Sequence, residues 1–302
     1  MIMVDDSTTR SVPPLLDIGG AELTRPATRA EALDALEGGG VVLLSQTGFE
    51  LTARERELIL DTQVILPGQK ERDSRIGRPT LIMYPEAGRI ERTKIAPAPR
   101  REIEAMMLRF SRWAETLVET LLPDYRAALQ RDRVTYRPCE RSIPQGLHVD
   151  TSYGRPSQGR AMLRVFSNIN TTDRPRVWQV GEHFEPFVGH FLPAARTTAE
   201  RSSWLLRLLG ITRGQRNAYD RLIADIRLLA KGDADYQERA PRRITEFPSG
   251  STWLAITDLV VHGAMAGQHS LDQSFFLPAN AMQDPSRSSL RILERLTGRT
   301  LV

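Results

Sequence analysis

Cysteine and lysine are almost missing from this chain. Cys139 stands alone in 302 residues. That excludes a disulfide framework within one chain and any cysteine-rich zinc or iron–sulfur site, and it fits a reducing cytoplasm. Lys70, Lys94 and Lys231 are the only lysines, so the basic side of a formal charge of +4 is carried by arginine. The planar fork of arginine suits carboxylates and phosphates, which points toward anionic partners without selecting one. Long apolar runs are lacking too. No segment approaches the roughly 20 apolar residues of a spanning helix, and Met1–Asp6 shows no basic-then-apolar leader, so any membrane contact is expected to be peripheral. Clustered basic residues interleaved with aromatics are also missing, and no nucleic-acid partner is expected. What is there is an ordinary globular composition, 40% hydrophobic and 26% charged, which excludes disordered and fibrous classes.

The spacing of apolar residues divides the chain into a mainly helical N-terminal part, 1–130, and a strand-rich part, 131–280, within a single domain of 1–302. After an irregular lead-in with Pro13, Pro14 and Pro26, a helix is expected over Arg29–Leu36, stopped by Gly38-Gly39-Gly40, and a buried strand over Val41–Leu44. The triple glycine lacks both the Lys-Ser/Thr of a phosphate loop and the spacing of a dinucleotide fingerprint. Further helices are read at Thr52–Gln63 and from Pro99 to Pro123, the latter with Ile103, Met106, Met107, Phe110, Trp113, Leu117 and Leu121 on one face. A strand is read at Thr80–Tyr84. Six more strands follow: Arg133–Arg137, Ala161–Asn170, Arg176–Val180, Arg243–Phe247, Thr252–Thr257 and Gln273–Leu277. A helical insertion at about 197–231, containing Trp204–Leu209, interrupts them, and a C-terminal helix is read at 286–297. Helices first and strands after suggest an α+β chain built on an antiparallel barrel.

Five histidines are present, and His148-Val149-Asp150 puts an imidazole and a carboxylate two residues apart, on one side of an extended segment. With a third ligand from a distant strand this makes a two-histidine, one-carboxylate facial triad, which leaves iron positions open for cosubstrate and oxygen. Alone the triplet is weak. Chance supplies one in roughly every second chain of this composition, and a second occurs at His183-Phe184-Glu185. Context favours the first, because it precedes a loop, Thr151–Gly159, and a strand whose alternation puts Arg164, Phe166, Asn168 and Asn170 on one face. A polar face in mid-strand is costly unless it lines a ligand cavity. In Val260-Val261-His262-Gly263-Ala264 an apolar pair delivers a histidine to a strand end before a small-residue turn, so His262 is taken as the distal ligand and His269 as the alternative. A 2-oxoglutarate enzyme also needs a cation for the far carboxylate of its cosubstrate. The next arginine after His262 is Arg287, in the expected C-terminal helix, so Arg164 is preferred, with Asn168 beside it. Asparaginyl hydroxylases and JmjC demethylases place their basic residue similarly, just after the H-x-D.

At these residues the chain resembles the bacterial 3-deoxy-D-manno-oct-2-ulosonic acid (Kdo) hydroxylases. The likeness rests on Gly146-Leu147-His148-Val149-Asp150, Arg164–Asn170, Arg174–Trp178, Val180-Gly181-Glu182 and Val261-His262-Gly263. It implies a double-stranded β-helix barrel, jelly-roll or cupin-like, with helices packed outside and a helical insertion. It also implies Fe(II), 2-oxoglutarate and O2 as cofactor and cosubstrates. The implied reaction hydroxylates carbon 3 of Kdo in Kdo-lipid A or another Kdo glycolipid to D-glycero-D-talo-oct-2-ulosonic acid, at the cytoplasmic face of the inner membrane. Arg155, Arg160, Arg174 and Arg176 form a pool of candidate substrate ligands. Two other readings stay open: a 2-oxoglutarate dioxygenase for another small anionic metabolite, and a non-catalytic barrel that binds an anionic sugar.

Overall fold

A computed structural model describes residues 12–19, 22–65, 80–91, 93–140, 144–151, 156–195 and 216–302. Arg155, the first part of the expected insertion and the run Trp204–Leu209 lie outside them. Eleven strands are assigned among these residues: β1 Leu15–Asp17, β2 Val41–Leu44, β3 Leu81–Tyr84, β4 Arg89–Ile90, β5 Gln130–Arg137, β6 Ala161–Asn168, β7 Arg176–Gly181, β8 Arg242–Phe247, β9 Thr252–Ile256, β10 His262–Ala266 and β11 Ser270–Leu277. Eight form one sheet in the order β1-β2-β9-β6-β11-β5-β3-β4, and three form a second in the order β10-β7-β8. All pairings are antiparallel except β1 with β2. The expected α+β jelly roll is what the chain builds, with four strands of the large sheet coming from the part read as mainly helical. β1, inside the expected irregular lead-in, is three residues held by the backbone of β2. Pairing creates such a strand where local propensity cannot.

Period-two alternation sorts the residues of the large sheet. On its outer face Leu163 and Val165 of β6, Leu254 and Ile256 of β9 and Leu271 and Phe275 of β11 join one core with Leu33 and Leu36 of the helix Pro26–Glu37 and Met106, Met107 and Phe110 of the helix Pro97–Leu121. On its inner face Val41, Leu43, Phe166, Trp253 and Ala255 meet Trp178 and Val180 of β7, Phe247 of β8 and Ala264 of β10. That inner cluster joins the two sheets. Its centre is an aromatic box in which Trp253 stacks on Phe247 at 4.0 Å and on Phe166 at 5.3 Å, with Trp178 edge-on at 5.6 Å.

Several elements differ from the sequence reading in instructive ways. His262 opens a strand rather than ending one, and the small residues after it are not a turn. A Cβ at Gly263 would lie 2.4 Å from the Gln145 carbonyl oxygen, so small side chains there permit close approach of the segment before His148. The turn comes later, at Gly267 (φ 96°) and His269 (φ 53°). Residues 184–195 are helical, although Phe184, Phe187, Val188, Phe191, Leu192 and Ala195 carry helical spacing in plain view. The described part of the insertion is the helix Ala218–Gly232, capped by Asn217, and it is followed by the helix Ala234–Arg239. The C-terminal helix begins at Ser289, capped by Ser288, because Pro285–Arg287 forms a separate 3-10 turn.

Candidate metal centre

The centre is assembled by backbone pairing. The segment before β6 runs along the free edge of β10: Gln145 N–H donates to the Ala264 carbonyl at 2.8 Å, and His148 and His262 exchange both backbone hydrogen bonds at 3.0 and 2.8 Å. Directly opposed residues in such a pair project to the same side. Asp150, two residues on, shares the side of His148 and is fixed by its own N–H to the Thr257 carbonyl at 2.8 Å. Ligand atoms of His148, Asp150 and His262 consequently lie within 4.8 Å of one another. His148 Nε2 is 3.7 Å from Asp150 Oδ1, and His262 Nε2 is 3.9 Å from Asp150 Oδ2.

Proton placement in this trio suits a metal. Nδ1 of His148 lies 2.8 Å from the Gly146 carbonyl, and Nδ1 of His262 lies 2.9 Å from the Val260 carbonyl. A carbonyl only accepts, so each Nδ1 carries the proton and each Nε2 presents a lone pair to the centre. Burial, and then the neighbouring His262, lowers the pKa of His148 to about 3. Burial likewise lowers His262. Burial alone would raise Asp150, but Arg164, followed by His262, His148 and Arg227, holds it well below the usual carboxylate range. Two neutral imidazoles and one carboxylate are the deprotonated forms a divalent ion requires. The Trp178 ring stacks on His262 at 4.8 Å and fixes its plane.

A cavity of about 320 Å³ opens over the trio, and five arginines among the described residues line it: Arg133, Arg137, Arg164, Arg176 and Arg227. Arg164, only 5% exposed, donates from Nη1 to Asp150 Oδ2 at 2.6 Å and from Nη2 to Asp272 Oδ1. Arg137 reaches the other Asp272 oxygen at 3.1 Å. Two buried donors on the cavity wall, Arg164 Nε and Trp253 Nε1, have no hydrogen-bond partner among the described residues. Orphaned donors beside a facial trio fit an oxygen-rich, anionic ligand chelated to a metal.

The other expected site residues fall differently. Asn168 is fully buried outside the cavity lining, and its amide donates to the Arg174 and Phe247 carbonyls at 3.1 and 3.0 Å. With both amide protons engaged there, it clips two loops and leaves no contact for 2-oxoglutarate. Arg160 turns away, donating to Gln130 at 2.6 Å and to the Ser157 carbonyl at 2.8 Å while lying over Phe276. The Arg174 side chain is 64% exposed, near Glu140. Of the described members of the pool, only Arg176 reaches the cavity, where it donates to the Gly267 carbonyl. His269 bonds Tyr136 Oη at 2.9 Å, outside the trio. Glu185 is held by Arg295 through bonds of 2.7 and 2.9 Å, so the second H-x-E belongs to an ion pair at a helix start. Arg133 and Arg137 were missed although Arg133-Val134-Thr135-Tyr136-Arg137 alternates as β6 does. Arg227 gives no sign of its role in the sequence, because it reaches the site from the insertion.

Over residues 20–300 the chain matches the family model described as 3-deoxy-D-manno-oct-2-ulosonic acid (Kdo) hydroxylase. Among solved structures it is similar to the Kdo hydroxylase KdoO, a non-haem Fe(II) α-ketoglutarate-dependent dioxygenase, in complex with cobalt(II), at 29% identity and TM-score 0.82, covering 96% of this chain and 97% of that one. The form of KdoO in complex with α-ketoglutarate and Fe(III) gives 28% identity with the same coverage and TM-score. No curated protein sequence matches.

Proposed function

This chain belongs to the Kdo hydroxylase family, and from that premise we propose that it hydroxylates carbon 3 of Kdo carried on lipid A. It is a 2-oxoglutarate-dependent dioxygenase acting on a Kdo-containing substrate. The observation that carries the reading is the coincidence of the His148, Asp150 and His262 ligand atoms with an arginine-lined cavity.

His148 and His262 would hold iron through Nε2 and Asp150 through its carboxylate. When bound, Fe(II) with 2-oxoglutarate and O2 supplies the oxidation: one oxygen atom enters the sugar C–H bond as hydroxyl, and the ketoacid becomes succinate and CO2. The chain's own work is binding and orientation. Arg164 keeps Asp150 ionised and aimed. One N–H of each Nη group is committed to a protein carboxylate, and the buried Nε–H is among the donors left for the cosubstrate. The far carboxylate of 2-oxoglutarate is assigned to Arg164 together with Arg133 and the other N–H groups of Arg176, which line the same cavity. The Trp178, Trp253 and Phe166 rings close the barrel beneath the cavity and keep bulk water from that side.

We place the reaction at the cytoplasmic face of the inner membrane, where the enzyme would visit its lipid-linked substrate. Among the described residues no helix is long and apolar enough to cross a membrane. Leu228, exposed beside Arg227 on the helix Ala218–Gly232, offers an apolar foothold for peripheral contact.

The test is incubation of Kdo-lipid A with the iron-loaded enzyme, 2-oxoglutarate and ¹⁸O2, read by mass spectrometry of the released sugar. One labelled oxygen on Kdo, matched by one succinate, is expected. Succinate formed with no oxygen on the sugar would reject Kdo as substrate and keep the dioxygenase.

A further inference from the structure

The cavity's five arginines are not equivalent. Arg164 and Arg137 are committed to Asp272 and Asp150, and Arg176 is tied to a backbone carbonyl. Arg227 is different in origin and in freedom. It comes from the helix Ala218–Gly232 of the insertion, while the others stand on barrel strands. Its Nη1 makes long hydrogen bonds to Thr151, 3.2 Å to Oγ1 and 3.4 Å to the carbonyl, and lies 3.9 Å from Asp150 Oδ1. Its Nε and Nη2 have no partner among the described residues.

Asp150 is thereby flanked by cations on both sides, with Arg164 against Oδ2 and Arg227 toward Oδ1. The inner flank continues across β11 into β5, where Arg133 stands near the level of Arg164, two strand spacings or roughly 10 Å away, and Arg137, opposite Asn168, meets Arg164 at Asp272. A cosubstrate dianion accounts for that side. The outer flank is left with a half-buried guanidinium that meets Asp150 only at 3.9 Å and keeps Nε and Nη2 donors for an incoming anion. In Kdo the carboxylate carbon is separated from carbon 3 by carbon 2 alone. A sugar that presents carbon 3 to the centre necessarily brings its carboxylate within a few bond lengths of Asp150.

We propose, resting on the dioxygenase reading above, that Arg227 is the specificity-determining residue for the sugar. Its guanidinium binds the Kdo carboxylate at the outer flank of Asp150 and selects an anionic ulosonate over a neutral sugar. Specificity is then carried by the helical insertion, and cosubstrate binding by the barrel.

The test compares Kdo-lipid A with its Kdo methyl ester on the wild type, Arg227→Ala and Arg227→Lys, with steady-state KM alongside sugar binding to the anaerobic Fe(II)–2-oxoglutarate complex. Loss of one charge-assisted contact predicts that the wild type prefers the acid by about 10- to 150-fold. Arg227→Ala should lose that preference through a higher KM for the acid, Arg227→Lys should recover part of it, and the visible band of the 2-oxoglutarate complex should be unchanged in both. A wild type that accepts acid and ester alike, or an Arg227→Ala that keeps the preference or loses 2-oxoglutarate affinity instead, overturns the assignment of Arg227 alone. A wild type that forms no 2-oxoglutarate complex overturns the dioxygenase reading with it.

Discussion

The two faces of β6 were built by the same alternation and put to opposite uses. Leu163 and Val165 point outward into a continuous apolar core shared with the N-terminal helices, where each side chain is replaceable by another of similar volume. Arg164 points inward between Asp150 and Asp272, in a setting where no other side chain has the same fork, charge and reach. One face holds the molecule together, and the other holds charges apart from water for a ligand. A residue's face, more than its burial, decides what its loss should do, because Leu163 and Arg164 are both buried.

The comparison is broken most severely at Arg164. Arg164→Ala leaves the Asp150 and Asp272 carboxylates buried with their strongest partner gone, and such a deletion costs about 3–5 kcal/mol. Iron affinity should also fall, by about 10- to 100-fold, through the misaimed Asp150. Calorimetry and metal titration read the two losses separately. The double variant Arg164→Met, Asp272→Leu still leaves Asp150 without Arg164 and Arg137 without Asp272, so it should regain at most part of the stability and none of the activity. A double variant fully as stable as the wild type would contradict the pairing of these inner charges.

On the outer face, Leu163→Ala should lower stability by about 2–5 kcal/mol through a cavity in the apolar core. Metal and cosubstrate binding, measured below the lowered Tm, should be untouched. A weakened iron complex in Leu163→Ala would show that the two faces are coupled.

The smallest effect concerns pH. Burial lowers the pKa of His269 to about 4, so between pH 6.5 and about 4 the unfolded chain binds a proton that the folded chain does not. Its contribution to stability is then full above pH 6.5 and declines as pH falls, by up to about 1.4 kcal/mol per unit. His269→Asn, which tolerates the positive φ at this position, should flatten that acid limb in urea titrations of the metal-free protein. A slope unchanged by the substitution would mean that other groups carry it.

Much of this architecture was legible in the sequence, for reasons that differ by region. Long amphipathic patterns such as Ile103–Leu121 and the strands β2, β6, β7, β8 and β9 announce themselves because one face of each is apolar. The grouping of His148, Asp150 and His262 was legible because two of them sit at i and i+2 and the third follows an apolar pair. What was not legible depends on distant pairing. Gly263 and Ala264 read as a turn until the approach of Gln145 and Gly146 explains their size. Asn168 shares a face with Arg164, yet its amide is satisfied by carbonyls from loops that no local pattern brings near. Arg227 enters the site from a helix across the insertion, and only the fold makes it a neighbour of Asp150.

The most direct test of the central claim is anaerobic titration of the purified protein with Fe(II) and then 2-oxoglutarate, watched for the weak visible charge-transfer band of the chelate. The band is predicted at one equivalent in the wild type and in His183→Ala, and it is predicted to be lost in Asp150→Ala. A band that persists in Asp150→Ala, or none in the wild type, would contradict the assignment of His148, Asp150 and His262 as the iron site.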